Sequence, residues 1–115
     1  MSLRRLLGCA GWLTAVCIPA AAQNFEEIRV EKAVDKLHFA EGPAWSHEGW
    51  LIFCDVPSNR IQKFVPGEGA QLYRDNSNGA SGNAIDAQGR LYTCEPRSRR
   101  VTRTDKKGKV DVLVE

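Results

Sequence analysis

The sequence has little that would build a helical protein, because no stretch beyond residue 22 shows sustained helical periodicity. It contains no Cys-x-x-Cys pair, and its two histidines, His38 and His47, lack the spacing of a metal site. We expect both histidines at the surface or in loops. No apolar run reaches the ~20 residues that a membrane-spanning helix needs. These absences argue against a helical bundle, a site built on cysteine or histidine, and a membrane-spanning protein.

The net charge of the chain is close to zero. The 115 residues include 16 Lys and Arg against 14 Asp and Glu, a formal charge of +2. Both excess charges, Arg4 and Arg5, lie within residues 1–22, and without them 16 − 2 leaves 14 basic against 14 acidic residues. The composition therefore gives no reason to expect a nucleic acid or an anionic membrane as a partner.

Residues 1–22 have the pattern of a signal peptide. Arg4 and Arg5 form a basic start, Leu6 to Ile18 an apolar run, and Ala20-Ala21-Ala22 a small-residue cleavage site before Gln23. We predict cleavage there and export to the periplasm or the cell exterior, with no membrane attachment afterwards. A membrane anchor is the alternative interpretation, but the apolar run is too short for it.

One structural unit is written twice in the sequence. Glu41-Gly42-Pro43-Ala44-Trp45 and the strand-like stretch after it return about forty residues later in altered form. The copies align without a gap and share Gly42/Gly82, Ala44/Ala84, Gly49/Gly89, Leu51/Leu91, Cys54/Cys94, Ser58/Ser98 and Arg60/Arg100. A repeat at this spacing is the signature of a solenoid or a propeller. Glu41 is not repeated, since its counterpart is Ser81.

Each unit reads as four short strands separated by turns. We predict strands at 42–46, 50–55, 60–65 and 70–74, and again at 83–86, 90–95, 100–104 and 109–114. Short strands at ~8–12-residue spacing indicate an all-β sandwich, barrel or propeller, and the repeat favours the propeller. Residues 37–115 are thus predicted to form two four-stranded blades.

Propellers have ~4–8 blades, which is more than these two. We therefore interpret the chain as the N-terminal piece of a longer protein, whose remaining C-terminal blades would be its partner. The alternative is a two-blade protein that completes its ring by oligomerisation. Within the N-terminal segment, residues 23–36, the alternation of Ile28-Arg29-Val30-Glu31 predicts a half-buried strand that would close the ring by pairing with the last blade.

The cysteines follow the same division of the chain. Cys9 and Cys17 would leave with the signal peptide, while Cys54 and Cys94 would remain where disulfides are permitted. Equivalent positions on neighbouring units usually lie farther apart than the ~4.4–6.8 Å Cα separation of a disulfide. We predict two buried free thiols that pack as small hydrophobic side chains.

Two motif blocks resemble a known family. They are residues 37–45 with 49–61, and Ala87-Gln88-Gly89-Arg90-Leu91-Tyr92-Thr93-Cys94-Glu95 with 99–104. They are similar to the N-terminal portion of the gluconolactonase and regucalcin (senescence marker protein) family, the second block most of all to its bacterial gluconolactonases. The resemblance implies a six-bladed propeller whose central channel holds one divalent cation. It also implies that the protein opens sugar lactones with water at this cation. Calcium is expected, with zinc, magnesium and manganese as alternatives.

The resemblance also implies a role for Glu41, which matches the first metal ligand of the family. A carboxylate at the start of an innermost strand would point into the channel, and hard cations prefer oxygen ligands. The remaining ligands and the general base come from later blades in the family, so we expect no catalytic residue within 1–115 and an incomplete metal site. The residues that bind substrate stay unknown. Many relatives have Asn-Gly where this chain has Ser81-Gly82, and Ser81 is given no role.

Two further groups of residues have simpler explanations. The basic residues Arg97, Arg99, Arg100, Arg103, Lys106, Lys107 and Lys109 are interpreted as a solvated strand face rather than a nucleic-acid site. Trp45 and Trp50 flank a turn, and we expect them to pack between blades rather than to stack on a sugar.

The leading hypothesis is therefore the N-terminal fragment of an exported, metal-dependent sugar lactonase, inactive by itself. An esterase or phosphotriesterase on the same scaffold stays open, because a fold does not determine a substrate. A non-catalytic propeller that serves as a binding module is the alternative of a different class.

Overall fold

Eight strands and one 3-10 turn make up the regular structure of residues 28–115, the part of the chain that the computed structural model describes. The predicted signal peptide, residues 1–22, lies outside the described residues. Within the described part, no helix has the length and apolar character to cross a membrane.

The strands form two four-stranded antiparallel sheets, each in the order of the sequence. The first sheet contains β1 (Ala40–Ser46), β2 (Trp50–Asp55), β3 (Arg60–Val65) and β4 (Gly69–Arg74). The second contains β5 (Gly82–Ile85), β6 (Leu91–Glu95), β7 (Arg100–Thr104) and β8 (Val110–Val114), with the 3-10 turn Pro96–Ser98 between β6 and β7. The all-β class and the division into two equivalent units are confirmed.

The predicted strand bounds hold closely. Those of β2, β3 and β7 match the structure, β1, β4, β6 and β8 differ by one or two residues at the first end, and β5 is shifted by one residue at both ends. The largest shift is in β1, which begins at Ala40 because this residue pairs with Asp55 of β2. The turns repeat as well: Gly49 N–H donates to Ser46 O at 3.0 Å, and its counterpart Gly89 N–H donates to Asp86 O at 2.9 Å.

The strand predicted at residues 28–31 is wrong for this structure. These residues lie in no strand, and Ile28 and Val30 are 62% and 97% exposed. Alternation of apolar and charged residues makes a strand only where a neighbouring strand takes up its backbone hydrogen bonds, and residues 28–31 have no such neighbour within the described part of the chain. The ring-closing role of this segment stays a prediction.

The core of residues 31–115 lies between the two sheets. Ile52, Cys54 and Ile61 of the first sheet are buried together with Leu91 of the second and Ala80 of the connecting loop. Trp50 packs against this cluster, as expected. Trp45 does not: it is 58% exposed, and its packing between blades stays a prediction. Trp45 pairs with Leu51 in the β1–β2 ladder, on the face of the first sheet opposite to Ile52 and Cys54 of the core.

The two remaining cysteines differ in their surroundings. Neither takes part in a disulfide, as predicted, but only Cys54 is buried and Cys94 is exposed. The difference has a topological cause: Cys54 lies in the sheet face that the second sheet covers, whereas no third sheet covers the matching face at Cys94 within the described residues.

Candidate metal ligand and its surroundings

Glu41 is the second residue of β1 and pairs with Cys54 of β2. The ladder shifts register between Glu41 and Ala44, so a bulge follows Glu41 directly, and bulges of this kind re-aim the side chains beside them. Glu41 is half-buried and lines an apolar groove of about 240 Å³ together with Leu37, Pro43 and Phe53. Glu41 therefore borders an apolar groove and keeps part of its surface open to solvent.

Gly42 brings the two sheets into close contact next to Glu41. Its φ is +58°, and a Cβ atom built on it would lie 2.5 Å from the Ser81 carbonyl oxygen. No side chain fits in that space, and L-residues also disfavour this backbone conformation. The Gly-Pro part of the motif thus has a structural purpose: it allows β1 to approach the start of the second sheet.

Asn83 of β5 fills the junction between the sheets. Its Nδ2 donates to Gly42 O at 2.9 Å and to Cys54 Sγ at 3.0 Å, and its Oδ1 accepts from Thr93 Oγ1 at 3.1 Å. Sequence reasoning missed this residue. The available signal was the repeat itself, since Asn83 replaces Pro43 and puts a hydrogen-bonding side chain where the first copy has none.

The Cys54 thiol opposite Glu41 is in a protonation state that does not favour metal binding. Burial raises the pKa of Cys54 and outweighs the hydrogen bond from Asn83, which lowers it. Metal binding and nucleophilic attack both require the thiolate. The thiol therefore stays protonated and packs in the core, as the sequence predicted for this cysteine.

The donor set near Glu41 fits a hard cation in kind but not in number. Carboxylate oxygens suit calcium and magnesium, yet calcium takes ~6–8 oxygen ligands. Among residues 28–115, no group of three or more His, Cys, Asp or Glu side chains lies close enough together to hold a metal ion. Ser81, the counterpart of Glu41, is half-buried and donates its N–H to Cys94 O at 3.2 Å. At this place the described residues offer one carboxylate, that of Glu41.

His38 has polar partners that the sequence did not suggest. Its side chain is 71% exposed, and Nδ1 lies 3.0 Å from Ser58 Oγ and 3.4 Å from Asp55 Oδ2. The three residue types are those of a hydrolytic triad, but the roles do not fit. Ser58 donates its hydroxyl proton to Asp55 Oδ2 at 2.6 Å, so His38 cannot take that proton as a general base. The cluster is structural.

Two buried carboxylates, Asp55 and Glu95, hold the ends of the second strands. Burial by itself would raise the pKa of Asp55, but hydrogen bonds from Ser58, Phe39 and His38 outweigh it and lower the pKa. Glu95 follows the same pattern: burial opposes the charge, and donors led by Thr102 and Asn78 lower the pKa below its ordinary value. Both groups are ionised anchors rather than catalytic acids.

The basic residues of the second unit are largely neutralised by ion pairs. Arg100 binds Glu95 at 2.9 Å, Arg103 and Lys109 both bind Asp111 at 3.2 and 2.8 Å, and Lys106 binds Glu48 at 2.7 Å. Most of these pairs are on the surface, where such contacts are common. The geometry agrees with the interpretation of this stretch as a solvated strand face.

Comparison with known proteins gives the family. Residues 21–115 match the SMP-30/Gluconolactonase/LRE-like region. A gluconolactonase from Zymomonas mobilis is 22% identical over 90 residues, which is 66% of this chain and 25% of that protein. The chain thus spans about a quarter of the length of this curated relative.

Solved structures show the same relationship. A gluconolactonase from Xanthomonas campestris is 32% identical with a TM-score of 0.67, over 71% of this chain and 28% of that one. The virginiamycin B lyase of Staphylococcus aureus is 17% identical with a TM-score of 0.57, over 66% of this chain and 27% of that one, and shows a likeness of fold alone. These similarities confirm the propeller-type fold of the two sheets. Together with the family match over residues 21–115, they establish that the chain belongs to the SMP-30/gluconolactonase family.

Proposed function

We propose that the whole protein is an exported, metal-dependent lactonase that opens sugar lactones with water, and that this chain forms the first two blades of its propeller. The family match over residues 21–115 supports a lactonase-type activity. The observation that supports a role for Glu41 is its position: it is half-buried and directly precedes a bulge in β1, the edge strand of the first sheet.

Glu41 would give a divalent cation, calcium being expected, one carboxylate ligand. When bound, such a cation supplies polarisation of a lactone carbonyl and a water of lowered pKa. The described residues would contribute binding and orientation: Glu41 would supply the carboxylate, and the bulge that follows it would set the direction of the side chain. The other ligands and the general base would come from further blades.

Hydrolysis of glucono-1,5-lactone by the whole protein, with and without a chelator, tests this proposal. We expect chelation to abolish activity, added calcium to restore it, and Glu41→Gln to reduce it strongly. Glu68→Gln is the matched control, because it makes the same chemical change at a turn where the carboxylate only accepts a hydrogen bond from Gln71. Activity that survives both chelation and Glu41→Gln would overturn the proposal, and a panel of carboxylic esters and phosphotriesters would show whether the scaffold prefers another substrate.

A further inference from the structure

We propose that Asn83 is a positioning residue for Glu41, because its side-chain amide fixes the bulge that carries the carboxylate. The inference rests on the proposed function, since it takes Glu41 to be a metal ligand. It adds a residue from the second sheet to a site that the sequence placed in the first sheet alone.

The amide of Asn83 donates to two residues next to Glu41: one follows it in the chain, and the other lies opposite it in the ladder. One Nδ2 contact, at 2.9 Å, is to the carbonyl oxygen of Gly42, which follows Glu41 in the chain. The other, at 3.0 Å, is to Sγ of Cys54, which pairs with Glu41 across the ladder. Because the Asn83 amide reaches both partners, one side chain of β5 links the residue that follows Glu41 to the residue opposite it on β2.

Asn83 is itself held in one orientation. Thr93 Oγ1, in a residue that is 1% exposed, donates to Asn83 Oδ1 at 3.1 Å. A hydroxyl donor at Oδ1 leaves the NH₂ end of the amide facing Gly42 and Cys54. The amide is therefore a fixed donor pair, and groups that orient a metal ligand need this kind of support.

The bulge is a place where a donor from outside the first sheet can bind, because Gly42 and Pro43 have no partner in the β1–β2 register. Pro43 has no backbone N–H to give to a ladder, and the β1–β2 pairing shifts register between Glu41 and Ala44. Within this irregular stretch the Gly42 carbonyl accepts a hydrogen bond from Asn83 at 2.9 Å. Without that bond the Gly42–Pro43 peptide would lose its hydrogen bond to the second sheet, and the bulge next to Glu41 would be held less firmly.

Calcium titration of the whole protein by calorimetry tests the inference. We expect Asn83→Leu, which keeps the volume and removes the donors, to weaken calcium binding by about tenfold, as loss of an orienting partner does at metal sites. Lactone hydrolysis should then need more calcium for half-maximal rate, while the rate at saturating calcium returns towards that of the wild type. Asn83→Ala and the milder Thr93→Val, which frees the Asn83 amide, should shift calcium binding in the same direction.

Thr102→Val is the matched control. It removes one buried hydrogen bond, from Thr102 Oγ1 to Glu95 Oε1 at 2.7 Å, in a part of the second sheet that does not touch Glu41. It should lower the unfolding temperature but leave calcium affinity unchanged. Equal calcium affinity in Asn83→Leu and wild type, or equal losses in Asn83→Leu and Thr102→Val, would overturn the positioning role. If Glu41→Gln binds calcium as well as the wild type does, the proposed function itself fails, which is a different result.

Discussion

Asp55 and Glu95 end the second strands of their sheets, and each carboxylate binds the segment that leads into its own sheet. Asp55 accepts hydrogen bonds from the backbone N–H groups of His38 and Phe39 at 3.2 and 2.9 Å. Glu95 accepts a hydrogen bond from Asn78 Nδ2 at 2.9 Å. Asn78 is the counterpart of His38 in the repeat. The two units therefore share an anchor as well as a strand pattern.

Replacement of Glu95 by Gln should destabilise the protein by about 3 kcal/mol. The carboxylate is 1% exposed and binds Arg74 at 2.6 Å and Arg100 at 2.9 Å, so the change leaves two guanidinium groups without their counter-charge. The value is at the low end for a broken buried pair, since both arginines keep some contact with solvent. Urea unfolding measures it. Asp75→Asn, which breaks the exposed pair with Arg60 at 3.4 Å, is the control and should cost less than about 1 kcal/mol.

Stability should fall in acid because the pKa values of Asp55 and Glu95 are lowered in the folded state. A carboxyl group of this kind contributes stability above its unfolded-state pKa, about 4 for Asp and Glu. That contribution is lost as the pH falls through the lower folded-state pKa. We expect the urea midpoint to be level down to about pH 5 and to decline below it. The decline should be shallower in Glu95→Gln, and identical pH profiles would contradict the assignment.

Gly42→Ala should be far more damaging than an alanine at another glycine of positive φ. The new Cβ would meet the Ser81 carbonyl oxygen at 2.5 Å, so clash and backbone strain add, for roughly 3 kcal/mol or more. Gly108 has a φ of +83° but nothing within 4 Å of a Cβ, so Gly108→Ala should cost only about 1 kcal/mol. Thermal unfolding of the two variants separates close approach from backbone conformation alone.

Residues 23–115 produced alone should be inactive towards lactones and should self-associate. Large apolar side chains are exposed on both sheets: Trp45 is 58%, Leu72 55% and Val114 61% exposed. Apolar groups gathered on a surface in this way promote association. Size-exclusion chromatography and a thermal melt provide the check, and a monodisperse preparation that melts cooperatively would contradict this expectation.

The repeat made most of the fold predictable. Pairs such as Gly49 and Gly89 mark the same turn in both units. In strands such as Arg60–Val65, side chains alternate with a period of two residues, and turn residues lie at either end. Burial was less predictable, because it depends on what lies against a face. Cys54 and Cys94 hold equivalent positions in sequence, and only the first has a sheet packed over it.

For the site, the sequence indicated only Glu41, through the motif around it, and its role as a metal ligand stays a prediction. Asn83 was missed because its role depends on the distance between two strands that are about forty residues apart in the chain. The anchor carboxylates Asp55 and Glu95 were missed for a related reason. The repeat shows that both positions are acidic. It does not show which groups donate hydrogen bonds to them, because those donors lie in loops whose positions the sequence does not give.

Calcium binding by the whole protein, measured by calorimetry for the wild type and for Glu41→Gln, tests the central claim most directly. Partners that only orient a metal ligand are worth ~10–100-fold in affinity, so loss of a direct carboxylate ligand should weaken binding by more than about 100-fold while the fold persists. Glu68→Gln should bind as the wild type does. An unchanged calcium affinity in Glu41→Gln would contradict the account.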